Sequence, residues 1–91
     1  MISKGRKKGT IRFAVSPGPD VRKVTLAGDF TEWQPKPMRK QKDGTFVAHL
    51  SVAAGSYEYK YIIDGQWAVD PDSEAWAANP YGTVNSVATI E

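Results

Sequence analysis

The chain has 91 residues, 41% of them hydrophobic and 24% charged, a composition that fits one small globular domain rather than a disordered chain. It has no cysteine and one histidine, which excludes disulfides, thiolate metal sites, a cysteine nucleophile and a histidine metal cage. The net charge of +2 hides an asymmetry: residues 1–42 hold eleven of the twelve basic residues but three of the ten acidic ones.

The densest basic run, Lys4-Gly5-Arg6-Lys7-Lys8, is terminal and broken by glycine. Residues 1–9 therefore read as a basic, flexible tail, and residues 10–91 as the domain. No nucleic-acid motif accompanies the charge, so nucleic acid is not an expected partner. No apolar run approaches the roughly 18 residues of a membrane span. The N-terminus lacks the apolar stretch of a signal peptide, so the expected compartment is the cytoplasm.

Residues 10–15 alternate, with Ile11, Phe13 and Val15 on one face, which predicts a half-buried strand. Ser16-Pro17-Gly18-Pro19-Asp20 ends it. A second strand follows from about residue 22 to 27, with Val24 and Leu26 inward. Gly28-Asp29-Phe30-Thr31-Glu32-Trp33 leaves the pattern and enters a loop, and Pro35 and Pro37 predict irregular chain from Gln34 to Lys40. Asp43-Gly44 turns the chain into a strand whose inward side is Phe46, Ala48, Leu50 and Val52.

After Ala53-Ala54-Gly55 comes the clearest strand, with Tyr57, Tyr59, Tyr61 and Ile63 on one face and Glu58, Lys60 and Ile62 on the other. Asp64-Gly65 is a hairpin signal leading into Gln66-Trp67-Ala68-Val69, closed by Asp70-Pro71. Residues 72–82 read as a loop, and a last strand runs from about Asn85 to Ile90. No apolar set keeps a helical period over three turns. The expected fold is all-β: an immunoglobulin-like β-sandwich of about seven short, mostly antiparallel strands.

The catalytic signals are poor. Asp70, Asp72 and Glu74 could pair as glycosidase carboxylates, but Asp-Pro is common turn chemistry and the others lie in a polar loop. The same three could ligate calcium, yet they lack the glycine and distal glutamate of an EF-hand loop. His49 reads as an ordinary surface histidine, and no serine sits in a nucleophile-elbow context. No catalytic residue, metal or cofactor is expected.

The aromatics carry the stronger signal. Trp33 lies in a Gly/Asp/Pro-rich loop, Trp67 just past a hairpin turn, Trp76 between alanines, and Tyr81 before a glycine. Loops carry binding residues more often than packing residues, and an indole has a large apolar face to leave in water. The alternative is that each aromatic folds back to cap the sandwich. Trp33 and Trp67 together, near Lys60, favour a binding surface. A pyranose ring has an apolar C–H face that suits an indole and a fringe of hydroxyls that suits Lys60 and an amide such as Asn85. One stacked ring, burying about 80–100 Å², contributes roughly 2 kcal/mol. Two predict weak binding, strengthened by avidity on a polymer.

Four segments occur in series: Gly28-Asp29-Phe30-Thr31-Glu32-Trp33, Gly55-Ser56-Tyr57-Glu58-Tyr59-Lys60-Tyr61, Asp64-Gly65-Gln66-Trp67 with Asp70-Pro71, and Gly82-Thr83-Val84-Asn85. In this order and spacing the chain, from about residue 10 to 90, resembles carbohydrate-binding module family 48, the glycogen-binding domain. Such domains occur in the β subunit of AMP-activated protein kinase and at the N-termini of glycogen branching and debranching enzymes. The resemblance implies an immunoglobulin-like sandwich and an α-1,4-linked glucan ligand: glycogen, starch or a maltooligosaccharide. It implies that Trp33 and Trp67 grip the sugar, that Lys60 and Asn85 bond its hydroxyls, and that Tyr81 holds the position of a residue inserted into a curved glucan. Thr31, Ser86 and Tyr81 depart from the family's usual asparagine, asparagine and aliphatic residue, and Trp76 has no counterpart in the pattern. The implied partners are an α-glucan and a glycogen-metabolism enzyme or kinase subunit. The rival reading is a protein-interaction module docking such a partner through the same aromatic surface.

Overall fold

The computed structural model describes residues 2–4, 9–73 and 75–90. Strands follow in chain order: β1 (Ile2–Lys4), β2 (Thr10–Val15), β3 (Val24–Gly28), β4 (Lys36–Pro37), β5 (Arg39–Lys40), β6 (Phe46–Ser51), β7 (Gly55–Ile63), β8 (Gln66–Ala68), β9 (Trp76–Ala78) and β10 (Val84–Ile90). One 3-10 turn, Asp29–Thr31, follows β3. One sheet has the order β1-β2-β6-β5, and the other β4-β3-β7-β10-β9, with β8 also pairing with β7. Every pairing is antiparallel. The result is the expected all-β sandwich. No helix among the described residues is long and apolar enough to cross a membrane.

The ten strands among the described residues exceed the expected seven because several short pairings have weak sequence signals. Lys36–Pro37 and Arg39–Lys40 form two-residue strands on either side of buried Met38, so the chain steps from one sheet to the other there. Pro37 is tolerated because β4 is an edge. Trp76–Ala78, inside the expected loop, forms edge strand β9 against β10. Within the expected tail, Ile2–Lys4 pair with β2. The rest of that stretch up to Lys8 lies outside the described residues.

The inward faces meet as the alternation requires. Ile11, Phe13 and Val15 from β2 and Phe46 and Ala48 from β6 pack against Val24 and Leu26 from β3, Tyr59 and Tyr61 from β7, and Ala88 and Ile90 from β10. An aromatic seam runs through this core. The Phe13 ring lies 5.0 Å from Phe30 and 5.7 Å from Tyr59, and Tyr59 lies 5.8 Å from Tyr61. Phe30 belongs to the 3-10 turn, so its packing ties the loop after β3 to the core.

Asp70 opens the expected turn, with Ser73 N donating to its carbonyl at 3.1 Å, but its side chain is 1% exposed and points into this seam. Tyr59 donates its hydroxyl to Asp70 Oδ2 at 2.7 Å and Tyr61 at 3.4 Å. The Asp72 amide donates to Oδ1, and the Asp70 amide to Ser86 Oγ. A buried carboxylate is tolerable because donors surround it. Burial first, and then Asp70, hold both phenols protonated far above the ordinary tyrosine range. Asp70 therefore anchors the chain leaving β8. Among the described residues no His, Asp and Glu side chains group to hold a metal. Glu74 lies outside the described residues.

Candidate functional site

The site is built on the solvent side of the second sheet. Tyr57, Tyr59, Tyr61 and Ile63 take the core side of β7, so Glu58, Lys60 and Ile62 take the other. Val87 of β10 is opposite Glu58, which puts Asn85 on the same outer face. Trp67 of β8 is opposite Ile62. From Glu58 to Ile62 the strand spans about 13 Å. This length exceeds one pyranose ring.

Trp33 reaches the face from the turn after β3. Gly28 is opposite Tyr59, and a Cβ on Gly28 would lie 2.7 Å from Glu58 O and from Tyr59 Cβ. Only glycine allows the turn to start so close to β7. Thr31, in the family's asparagine position, closes the turn: its hydroxyl accepts from Gly28 N and donates to Gly28 O, at 3.1 and 3.0 Å. Glu32 and Trp33 then adopt left-handed backbone, with φ of 56° and 60°. That conformation costs on the order of 1–3 kcal/mol per residue. Fixed contacts offset it. Trp33 N donates to Gly28 O at 2.9 Å, and Trp33 Nε1 donates to Asp29 Oδ1 at 2.9 Å. Asp29 Oδ2 accepts from Glu58 N at 2.8 Å. Asp29 thus ties the indole to β7.

All five expected site residues, Trp33, Lys60, Trp67, Tyr81 and Asn85, line one concavity of about 810 Å³. They differ in access. Trp67 is 54% exposed and Tyr81 89%, whereas Asn85 is 7% exposed and forms part of the floor. Asn85 Nδ2 donates to Glu58 Oε1 at 3.1 Å, and Asn85 Oδ1 accepts from Asn79 Nδ2 at 3.2 Å. Its amide keeps one proton and one lone pair for anything else. Lys60 Nζ donates to Thr83 Oγ1 at 3.1 Å, and Asn79 Nδ2 donates to the same oxygen at 2.6 Å. With both lone pairs occupied, the Thr83 hydroxyl proton is left to donate.

The sequence reading missed Asp29, Glu58, Asn79 and Thr83 as members of this face. Three of them, Asp29, Glu58 and Thr83, lie inside the quoted motifs, and Glu58 alternates with Lys60. Asn79 had only Asn-Pro turn chemistry as a signal. Trp76 does not line the concavity. It is opposite Ser86, which is itself opposite core residue Tyr59, so Trp76 takes the inner side of edge strand β9 and is 52% exposed there. The arrangement can clamp a ligand having apolar faces and many hydroxyls. It offers two indoles and a phenol around donors and acceptors already held in place.

The family described as the glycogen recognition site of AMP-activated protein kinase matches residues 17–91. Subunit beta-1 of 5'-AMP-activated protein kinase from Sus scrofa is 36% identical over 70 residues, covering 77% of this chain and 56% of the relative. The beta-1 subunit of Homo sapiens is 36% identical over 77% of this chain and 25% of its own length. The beta-2 subunit of Mus musculus is 33% identical over 77% of this chain and 26% of its own. The chain thus spans about half of the first relative and about a quarter of the other two. Among solved structures, maltogenic amylase from S. marinus superposes with a TM-score of 0.77 at 24% identity, over 100% of this chain and 15% of that one. Pullulanase from Paenibacillus barengoltzii gives 0.63 at 24% identity, over 93% and 14%. At that identity both show the fold alone. The family match over residues 17–91, with relatives 33–36% identical over 77% of the chain, establishes that the chain belongs to the glycogen-recognition family of AMP-activated protein kinase β subunits, a non-catalytic domain type.

Proposed function

We propose that this chain binds α-1,4-linked glucans, such as glycogen, starch or maltooligosaccharides, without acting on them. The observation that carries the reading is that Trp33 and Trp67 border one concavity whose polar side chains include Lys60, Thr83 and Asn85. The indoles stack on the apolar faces of glucose rings. Lys60 and the remaining valences of Asn85 bond hydroxyls, and Tyr81 shapes the groove wall. Association costs consume much of the stacking energy, so a short oligosaccharide binds with a dissociation constant of roughly micromolar to millimolar. A polymer with many sites is held more tightly.

The relatives are named as kinase β subunits, and on that ground the module targets or regulates a glycogen-metabolism enzyme or kinase on its glucan. The whole protein is then non-catalytic in its own right and resides where glycogen does, in the cytoplasm. The test is an intrinsic tryptophan fluorescence titration with maltoheptaose, and cellohexaose as control. A saturable change with the α-linked sugar alone is expected. A folded protein that responds to neither sugar would overturn the reading and leave the aromatic face for protein docking.

A further inference from the structure

We propose that Asn79 is the positioning residue of this face: one carboxamide that holds the loop bearing Tyr81 and also sets the orientation of Thr83 and Asn85. Its consequence for binding rests on the glucan reading above. Residues 79–83 join β9 to β10 and carry the most exposed large side chain of the face, Tyr81. A loop tip of this kind, containing a proline and a glycine at φ 81°, has little packing to fix it.

Asn79 supplies the missing constraint. A carboxamide has two lone pairs and two protons. Asn79 Oδ1 accepts from Tyr81 N at 3.0 Å and from Thr83 N at 3.3 Å. Asn79 Nδ2 donates to Thr83 Oγ1 at 2.6 Å and to Asn85 Oδ1 at 3.2 Å. All four valences are used, two on the loop backbone and two on groups of the groove. Its main chain closes the same loop, with Asn79 N donating to Thr83 O at 2.9 Å and Gly82 N to Asn79 O at 3.3 Å.

The two halves of the amide have separable jobs, and the chemistry of each neighbour makes the residue type specific. Two backbone donors fix the oxygen end. The nitrogen end must then donate, and its two partners are oxygens. One of them, Thr83 Oγ1, already accepts from Lys60, so the Asn79 bond fills it and leaves the hydroxyl proton for a ligand. The other, Asn85 Oδ1, is oriented so that Asn85 Nδ2 can reach Glu58. An aspartate at position 79 would keep the loop bonds. It would also turn the Thr83 proton inward and set oxygen against oxygen at Asn85.

The experiment compares wild type, Asn79→Asp and Asn79→Ala by two readouts, with Trp67→Ala as a reference for ligand stacking. One is amide hydrogen exchange at Tyr81 and Thr83 in the free protein. The other is maltoheptaose affinity by calorimetry. Asn79→Ala should speed exchange at both amides and weaken binding on the order of tenfold or more. Asn79→Asp should leave exchange near wild type and still weaken binding about tenfold. An aspartate variant that binds like wild type would overturn the orienting role. An alanine variant with unchanged exchange would overturn the loop-holding role. A wild-type protein that ignores maltoheptaose would sink the glucan reading instead, while the exchange arm would still decide whether Asn79 holds the loop.

Discussion

Asp29→Asn changes no volume and removes one charge, so it isolates the tie between Trp33 and β7. The carboxylate accepts from two N–H donors, Trp33 Nε1 and Glu58 N, one on each oxygen. An asparagine has one oxygen and one NH₂ group. Whichever way it flips, one donor meets another donor and one bond is lost. A hydrogen bond to a charged acceptor is worth about 1.5–3 kcal/mol when shielded. Asp29 is exposed, so water recovers part of that, and a loss of about 1–2 kcal/mol of stability is expected. The left-handed backbone at Glu32 and Trp33 then has less to hold it, and the indole moves more freely before binding. Ordering one such side chain costs about 0.5–1.5 kcal/mol, which weakens glucan binding roughly two- to tenfold. Urea denaturation and a maltoheptaose titration read the two effects separately. A variant as stable and as tight as wild type would refute the claim that Asp29 positions Trp33.

Trp67→Ala should leave the fold intact, because the indole is largely exposed, and should weaken maltoheptaose binding by about 2 kcal/mol, or roughly thirtyfold. Unchanged glycogen pull-down by the folded variant would remove Trp67 from the site. Gly28→Ala places a methyl against Glu58 O and Tyr59 Cβ, and overpacking of this kind should cost about 1–3 kcal/mol in chemical denaturation while also displacing Trp33. The phenols of Tyr59 and Tyr61 titrate higher in the folded chain than in the unfolded one. Their stabilisation is therefore complete below about pH 10 and falls above it by about 1.4 kcal/mol per pH unit for each tyrosine. Tyr59→Phe should lower stability by about 1.5–3 kcal/mol at neutral pH and make the alkaline decline shallower, as urea midpoints from pH 8 to 11 would show.

The strands that form the core were legible because burial on one side alone imposes a period of two. β2 and β7 show it directly, with Phe13, Tyr59 and Tyr61 inward. The short strands β4, β5 and β9 were not legible, since their pairing is decided by neighbours distant in sequence. Pro37 even argues against a strand until the edge position is known. Motifs placed Trp33, Lys60, Trp67, Tyr81 and Asn85 together, and they line one concavity, but their different access was not readable. Asn85 alternates correctly onto the outer face, yet the packing of Asn79 and Glu58 around it makes it a floor residue. Asp70 read as turn chemistry because Asp-Pro is common in turns. Only the fold brings Tyr59, Tyr61 and Ser86 to it. The left-handed backbone at Trp33 has no sequence signal, since bulky residues ordinarily avoid it.

The side of the sheet that Trp76 occupies has a practical consequence for optical measurement. Trp33 and Trp67 border the groove, while Trp76 stands across the sheet from it, half in solvent. The protein therefore carries two emitters where a ligand would sit and a third that serves as an internal standard in the same spectrum. A small neutral quencher such as acrylamide reaches Trp76 with or without a groove ligand. Its residual quenching at saturation provides the baseline against which protection of the other two is measured, without a label or a second sample.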